Sequence, residues 1–432
     1  LVLYGAWSVR RMNFDLLLAL IGTGFIAIIL LSPASAGWFL WIIPFVVLLL
    51  NQAPMRHLVM VFAFNLQFVL LQLLNVSGAF VPLLGVDLSE PLGPILGLPA
   101  SLNSLLLSIL TATGLVISLQ LVRDSILRND YFRLSRRPLM VAVAGDSGTG
   151  KDSIVEGLTA LFGHQSVTHI SGDDYHLWDR HKPMWKIMTH LNPQANNLQK
   201  FKQDALALSN GKKVMRRHYD HVTGRMTKPR PLMSNEIIFI SGLHALYDPD
   251  LYEYSDLRVF LDMDDNLRRY LKIKRDVDDR GHTQEQVLAS IERRAIDRDR
   301  FIQPQAANAD LILSLIPLQP DAINSDNYPG IPPRIKLKVR LKRRLPLDDM
   351  VRVLIGVCGA HVDVRLSEDN IYAEIMIEGD MDAGDIAAAA DVLINKVDEL
   401  LGPAPKWFGG VTGVMHLFVV WHAAYSLRKR TI

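Results

Sequence analysis

The densest chemistry in the chain lies in Ala142-Val-Ala-Gly-Asp-Ser-Gly-Thr-Gly-Lys-Asp-Ser153. The spacing Gly145-x-x-x-x-Gly150-Lys151 is that of a phosphate-binding loop between a buried strand and a helix. Glycines let backbone N–H groups converge on phosphate oxygens, the helix N-terminus adds partial positive charge, and Lys151 reaches the β- and γ-phosphates. Gly145, Asp146, Ser147, Gly148, Thr149, Gly150, Lys151, Asp152 and Ser153 are therefore the expected ATP-binding residues. One position departs from the pattern. Where Ser or Thr normally holds Mg²⁺, Asp152 stands, with Ser153 behind it.

A second group of reactive side chains follows in Gly172-Asp-Asp-Tyr-His-Leu-Trp-Asp-Arg180. The preceding residues 166–171 read as a strand, and open parallel sheets present ligands at the carboxyl ends of their strands. Asp173 and Asp174 are thus expected to face the nucleotide, where an Asp accepts a proton from an attacking hydroxyl or holds a metal-bound water. An Asp-rich turn capping a helix is the alternative. The basic stretch 212–228 reads either as a solvated face or as an anion-binding surface for a phosphorylated substrate. Residues 236–242 read as a strand, and phosphate-loop enzymes end such a strand in an acid that orients Mg²⁺. Here Ser241 stands there. Arg275 and Arg280 suit a lid closing on phosphates, or else pair with the aspartates between them.

These residues need a scaffold of alternating strands and helices. Strands are expected over 139–144, 166–171, 236–242, 257–262 and 309–315, with helices over 151–162, 200–209 and 283–298. A Pro- and Asn-bearing connector, 319–333, leads to a small α+β unit. It comprises an alternating strand 335–341, a helix 348–357, a hairpin of 361–366 with 370–377, and an amphipathic helix 383–400. The last apolar stretch, 411–427, carries His416 and His422 and reads as a helix packed on the domain rather than a membrane span.

The bulk numbers set limits. A length of 432 residues implies two or three domains, and a net charge of +2 gives no case for nucleic acid. The single cysteine, Cys358, excludes an intrachain disulfide and a multi-cysteine metal site. Hydrophobic residues make up 49% but crowd into the first third, with apolar runs at 14–31, 37–50, 58–74 and 102–122; the second is short and carries Pro44, so a re-entrant hairpin is the alternative to its crossing. Arg10 and Arg11, then Arg56 and His57, then the arginines after 122 all fall on one side of a four-span arrangement. The positive-inside rule puts both termini in the cytoplasm of a multi-pass protein of the bacterial inner membrane. A competing reading takes Arg10-Arg11, the first run and Ala34-Ser-Ala36 as a cleaved signal peptide. The stretch 76–99 holds four prolines and four glycines and is no continuous helix. Residues 125–137 form a basic linker suited to anionic headgroups.

Taken in order, further motifs accompany these two groups: Leu191-Asn-Pro193, Tyr219-Asp-His-Val-Thr-Gly224, Gly242-Leu-His244, Arg275-Asp276 with Arg280-Gly-His282, and Phe301-Ile-Gln-Pro-Gln305 with Ala309-Asp310. Together they resemble the phosphoribulokinase/uridine kinase family, in its longer plant and cyanobacterial form. The resemblance implies an α/β P-loop kinase with a parallel-rich sheet and helices on both faces, over 138–317, with an α+β extension over 318–432. An all-α transmembrane domain of about four helices, 1–124, and the linker 125–137 precede it.

The implied reaction moves the ATP γ-phosphate to an acceptor hydroxyl, with Lys151 and the loop on the phosphates and Asp173 as general base. Asp174, Tyr175, His176, Arg180, Tyr219 and His221 are implied at the substrate, and Arg275 and Arg280 in the lid. ATP and Mg²⁺ are the implied cofactors. The family's strand acid falls at Ser241, so carboxylate and hydroxyl have changed places: Asp152 and Ser241 are expected to share the metal. Thr149 stands where chloroplast members carry a redox-active cysteine, and one cysteine forms no switch within a chain. The expected partners are a small-molecule or lipid-linked hydroxyl acceptor, the lipid bilayer and a possible second copy of the chain. A nucleotide sensor that relays its state to the membrane helices is the competing class.

Overall fold

The computed structural model describes residues 14–31, 36–50, 55–75, 79–81, 86–88, 97, 99–127, 137–278, 281, 283–319, 333–342, 345–368, 371–402 and 404–429. The chain forms two compact units, Leu1–Leu134 and Ser135–Ile432.

In the first unit, runs of Leu, Ile, Val and Phe form helices α1 (Phe14–Leu31), α2 (Ile43–Leu50), α3 (Met55–Asn75) and α4 (Ala100–Leu127). Ala19, Ile26, Phe64 and Ile117 pack between them, while Leu17, Ile21, Phe62, Leu105 and Leu119 face outward. An apolar exterior around an apolar interior is the pattern of helices solvated by lipid. Helix α1 and the segment Ser101–Ser125 are long and apolar enough to cross a bilayer. The stretch 37–50, for which crossing and a re-entrant hairpin were both open, forms no single span. It divides into a 3₁₀ turn, Ala36–Trp41, and the eight-residue α2, too short to cross. Pro44, with no N–H to donate, sits in the first turn of α2, where a helix tolerates it but does not run through it unbroken. Within the stretch 76–99, β1 (Ala79–Val81) pairs antiparallel with β2 (Val86–Leu88), so the unit is not purely helical. Thr113 donates to Gln67 at 3.1 Å, an interhelical hydrogen bond between α4 and α3. Asn65 instead donates to Val61 O of its own helix at 2.7 Å. Helix α4 takes the start of the linker to Leu127, and 128–136 lie outside the described residues.

The second unit is built on one eight-stranded sheet. In chain order its larger elements are β3 (Leu139–Gly145), α5 (Lys151–Phe162), β4 (Val167–Ser171), α6 (Met184–Ile187) and α7 (Leu198–Ser209). Short strands β5 (Val214–Arg216), β6 (Tyr219–Asp220), β7 (Arg225–Met226) and β8 (Arg230–Leu232) form two small ribbons, β5 with β8 and β6 with β7. Then come β9 (Ile237–Gly242), α8 (Pro249–Glu253), β10 (Leu257–Met263), α9 (Asp265–Asp278), α10 (Gln284–Asp297) and β11 (Leu311–Pro317). The chain closes with β12 (Ile335–Lys342), α11 (Leu347–Gly356), β13 (His361–Leu366), β14 (Tyr372–Glu378), α12 (Ala383–Leu393), α13 (Val397–Leu400) and α14 (Gly410–Lys429).

Strand order is β13-β14-β12-β11-β10-β3-β9-β4. The five strands from β11 to β4 are parallel; the three contributed by the C-terminal part are antiparallel. Every residue of β3 and of β9 is buried, as strands covered on both faces require, so both read as apolar runs broken only by Ser241. The α+β extension thus continues the main sheet and forms none of its own. The helix expected over 383–400 is broken after Leu393, where Lys396 takes a left-handed φ of 56°. Helix α14 packs on α5 and on β3, β10 and β12, with 67% of its apolar window buried inside this unit. It is a core helix despite being long and apolar enough to span. Its His416 ring fills the notch left by Gly157 of α5, where a Cβ would sit 2.3 Å from the ring.

Candidate active site

The loop between β3 and α5 has the form its glycines dictate. Gly148 and Gly150 adopt φ of 91° and 84°, left-handed values that residues with a Cβ rarely take, with open space around both. Lys151 is half-buried and donates to Gly145 O at 3.0 Å and Asp146 O at 2.7 Å. Burial pulls its pKa down against the charges of Asp173, Asp152 and Asp146. Thr149 is buried and donates to Asp146 O at 2.9 Å. The Asp146 carboxylate turns away from the loop mouth. One oxygen accepts from Ser147 N at 2.6 Å, and the other lies 2.8 Å from Nη1 of Arg268 on α9. Asp152 and Ser153 are exposed on the first turn of α5, where the negative charge of Asp152 suits the helix dipole.

Asp173 opens the 3₁₀ turn Gly172–Tyr175 at the end of β4, its N–H received by Ser171 Oγ at 3.3 Å. Its two oxygens face two imidazoles, His176 Nε2 at 3.7 Å and His221 Nε2 at 3.4 Å. His176 is fixed by Asn196 Oδ1 at 2.7 Å and stands in an aromatic wall with Tyr219, Trp185 and His190. Arg180 donates to His221 O at 3.0 Å and so ties this turn to β6 and the loop after it. Burial pushes the Tyr219 hydroxyl up. His190 is held well below the usual imidazole range, first by burial and then by the neighbouring charges of His176, Arg294, Arg180 and Lys272. Asp173, His176, Arg180, Tyr219 and His221, distant in sequence, therefore meet in one place.

Two of the expected substrate residues are used elsewhere. Asp174 is buried, and its oxygens are taken by Arg216, by His218 Nδ1 at 3.1 Å and by Tyr219 N at 2.8 Å. It holds the ribbons β5–β8 in place and does not face the site. Tyr175 is buried against Phe201, and its hydroxyl donates to Asp204 at 2.9 Å. The reason is the tight 3₁₀ turn, which sends successive side chains in different directions, so that of three consecutive residues only Asp173 looks outward.

Ser241 lies at the end of β9, in register with Val143 of β3 and Ser171 of β4. It is buried and bonded to His169 Nε2 at 2.7 Å. Among nearby charges, that of Asp152 acts most on His169, whose pKa burial lowers. Among the described residues no three His, Cys, Asp or Glu side chains form a metal cage. Mg²⁺ in phosphoryl transfer needs only one or two carboxylates besides phosphates and water. Asp152 acts electrostatically on both Lys151 and His169, and His169 in turn holds the hydroxyl of Ser241.

A cationic group completes the site. Arg268 and Lys272, one turn apart on α9, and Arg294 of α10 line a small cavity with Asp146 and Leu191. Lys272 is pushed down to about 7, by burial first and by Arg294 next. Buried cations crowded this way are stabilised by an anion. Arg275 is paired with Asp276 at 2.9 Å, and Arg280 lies outside the described residues.

His169, Trp185, His190, Arg268, Lys272 and Arg294 were not anticipated from the sequence. The i, i+4 spacing of Arg268 and Lys272 was the one available signal, marking two cations on one helix face.

The family described as Phosphoribulokinase / Uridine kinase family matches residues 140–320. A phosphoribulokinase of Synechocystis sp. is 39% identical over 181 residues, 42% of this chain and 54% of that protein. A uridine kinase of Clostridium perfringens is 27% identical over 184 residues, 41% of this chain and 88% of that protein. A solved phosphoribulokinase from Rhodobacter spheroides aligns with 67% of this chain and 100% of its own length at 19% identity and a TM-score of 0.46. The chain spans about half the length of the phosphoribulokinases it matches. Over residues 140–320, with its phosphate loop, its strand-end aspartate and its ordered motifs, the chain is similar to the phosphoribulokinase/uridine kinase family.

Proposed function

We propose that the protein is a membrane-anchored, ATP-dependent kinase that phosphorylates a hydroxyl of a sugar phosphate or a membrane-associated acceptor. The observation that carries this is Asp173, half-open at a strand end, flanked by two imidazoles and acting electrostatically on the phosphate-loop lysine. Loop amides and Lys151 hold the β- and γ-phosphates once Lys151 exchanges the loop carbonyls for phosphate oxygens. Asp173 takes the proton of the acceptor hydroxyl as its oxygen bonds to the γ-phosphorus and ADP leaves. Asp152 and Ser241 would hold Mg²⁺ beside the phosphates, where it would supply charge neutralisation. Arg180, Lys272 and Arg294, gathered around neutral His190, offer charge to an anionic acceptor. Helix α1 and the segment Ser101–Ser125 support the membrane part of the reading.

The test is incubation of the purified protein in detergent with γ-labelled ATP and total cell extract, soluble and membrane fractions apart. A labelled product that disappears with Lys151→Ala, and its identity, establish the kinase and its acceptor. Ser241 in the place of the strand acid favours a second reading, a nucleotide sensor. ATP binding without transfer to any fraction establishes that instead.

A further inference from the structure

Among the described residues of the second unit, the three most exposed large apolar side chains are Val222 at 90%, Ile296 at 78% and Ile187 at 74%. They come from three separate elements, and each stands beside a group of the candidate site. Val222 follows His221, whose ring faces Asp173 at 3.4 Å. Ile187 ends α6, two residues after Trp185 of the aromatic wall. Ile296 lies in the last turn of α10, two residues after Arg294. Thr189 donates to Asp297 at 2.6 Å, which draws the ends of α6 and α10 together. Trp185 stacks on Tyr219 with ring centroids 5.9 Å apart, which draws α6 to the ribbon that carries Val222. The turn between β6 and β7 is pinned by Asp220. Its carboxylate accepts from Val222 N at 2.9 Å and from the Thr223 hydroxyl at 2.7 Å, and its carbonyl accepts from Gly224 N at 2.7 Å. Such turns favour Gly, Asn, Asp and Ser, so the turn itself does not account for a valine in it. All three residues are β-branched and stiff at χ1, so they lose little freedom when covered. Single exposed apolar residues are ordinary, but a group of them at the mouth of a site marks a binding surface.

We propose that Val222, Ile187 and Ile296 form the apolar half of the acceptor site, and that the acceptor is a lipid. Its polar head brings a hydroxyl to Asp173, and its hydrocarbon chain lies over the three side chains. This rests on the kinase reading and chooses between the two acceptors that reading allows. The hydroxyl oxygen bonds to the γ-phosphorus, the bond from that phosphorus to the bridging oxygen of ADP breaks, and the proton passes to Asp173. The products are a lipid phosphomonoester and ADP. Two observations select this occupant. The rim is continuous with the acceptor-side wall and carries cations as well as apolar groups: Arg225 donates to His181 at 3.1 Å, one residue from the Arg180 that binds His221 O. That pairing suits a charged head joined to an apolar chain. The same chain also bears helices with apolar outer faces, Leu17, Phe62 and Leu119 among them, which fit a bilayer where such acceptors reside. A free sugar phosphate has no apolar part and would leave all three residues in water.

The full chain in detergent, given γ-labelled ATP and a total lipid extract of cell membranes, is expected to place label in the acidified organic phase. The triple variant Val222→Ser/Ile187→Ser/Ile296→Ser is expected to raise the KM for that extract at least about ten-fold, with the loss in KM rather than kcat. Val222→Leu/Ile187→Leu/Ile296→Leu keeps the apolar rim and is expected to keep the low KM. A second arm needs no turnover. Cys358 is buried, so Val222→Cys takes a benzophenone maleimide at one place. Photolysis in membranes of expressing cells grown on labelled acetate is expected to attach labelled lipid there several-fold more than at Val392→Cys, equally treated and exposed on α12. A product found only in the aqueous phase, a serine variant with unchanged KM, equal capture at the two positions, or capture of a protein in place of lipid overturns the proposal. Selective lipid capture without transfer of phosphate to any fraction supports the lipid-binding rim and overturns the kinase reading instead.

Discussion

His169 Nε2 and Ser241 Oγ lie 2.7 Å apart on the neighbouring strands β4 and β9. An imidazole thus holds the hydroxyl that stands where the family resemblance implies an acid. Exchanging Asp152→Ser together with Ser241→Asp is expected to preserve phosphoryl transfer better than either change alone. Equal activity in all four proteins contradicts the exchange of roles. His169→Leu removes the partner of Ser241 and is expected to lower divalent-cation affinity by roughly 10–100-fold. Mn²⁺ binding followed by electron paramagnetic resonance reads that loss without reference to turnover.

Asp173 and Asp174 are neighbours with separate tasks, and conservative variants separate them. Asp173→Asn is expected to cut turnover by about 10²–10⁴-fold with nucleotide affinity little changed. Asp174→Asn removes the buried charge opposite Arg216 and is expected to lower the unfolding midpoint instead, by about 3 kcal/mol in stability. Steady-state kinetics and denaturant unfolding of both variants give opposite rankings if the assignment is right.

Lys272 titrates near 7 in the folded protein against 10.5 for a free lysine. Between these values the unfolded chain binds the extra proton, so this group makes stability rise with pH from about 7 to about 10.5; below 7 its full penalty applies. Lys272→Met is expected to flatten that rise and to stabilise the ligand-free protein at pH 7. A phosphate group beside Lys272 restores the charge. Nucleotide or acceptor binding at pH 8 is therefore expected to take up a proton, seen by calorimetry in buffers of different ionisation enthalpy.

His416 and His244 are both pushed down to about 4 by burial. Unfolded histidines titrate near 6.5, so the unfolded chain holds the extra protons between about 4 and 6.5, and stability falls as pH drops through that window. His416→Leu is expected to reduce this acid sensitivity. Gly157→Ala, which drives a methyl into the His416 ring, is expected to cost about 1–3 kcal/mol. Urea unfolding at pH 5 and pH 7 checks both variants.

What could be read from the sequence divides along physical lines. The strand 139–144, the helix 151–162 and the glycine spacing between them depend on neighbours a few residues apart, and they appear in the structure as read. Its length and two histidines also separated α14 from a membrane span. At 37–50 the shortness of the run and Pro44 left crossing and a re-entrant hairpin both open, and the structure breaks the run into a 3₁₀ turn and an eight-residue helix. Periodicity failed near Lys396, where amphipathic spacing runs on through a break in the backbone. The contacts that finish the site join residues far apart in sequence, Asp146 with Arg268 and His169 with Ser241. No local rule reports such pairs. Asp174 and Tyr175 carried the right motif and the wrong inference, because a motif fixes which residues occur and a turn fixes where each one points.

The ammonium of Lys151 already has two oxygen partners from its own loop. These partners are the carbonyls of Gly145 and Asp146, part of the loop itself. An incoming ligand competes with the protein for this ion before gaining anything from it. A singly charged anion offers little over two carbonyl dipoles, while a polyphosphate offers several charged oxygens at once. The loop thereby acts as a threshold, admitting ligands by their charge density before any base or sugar is read.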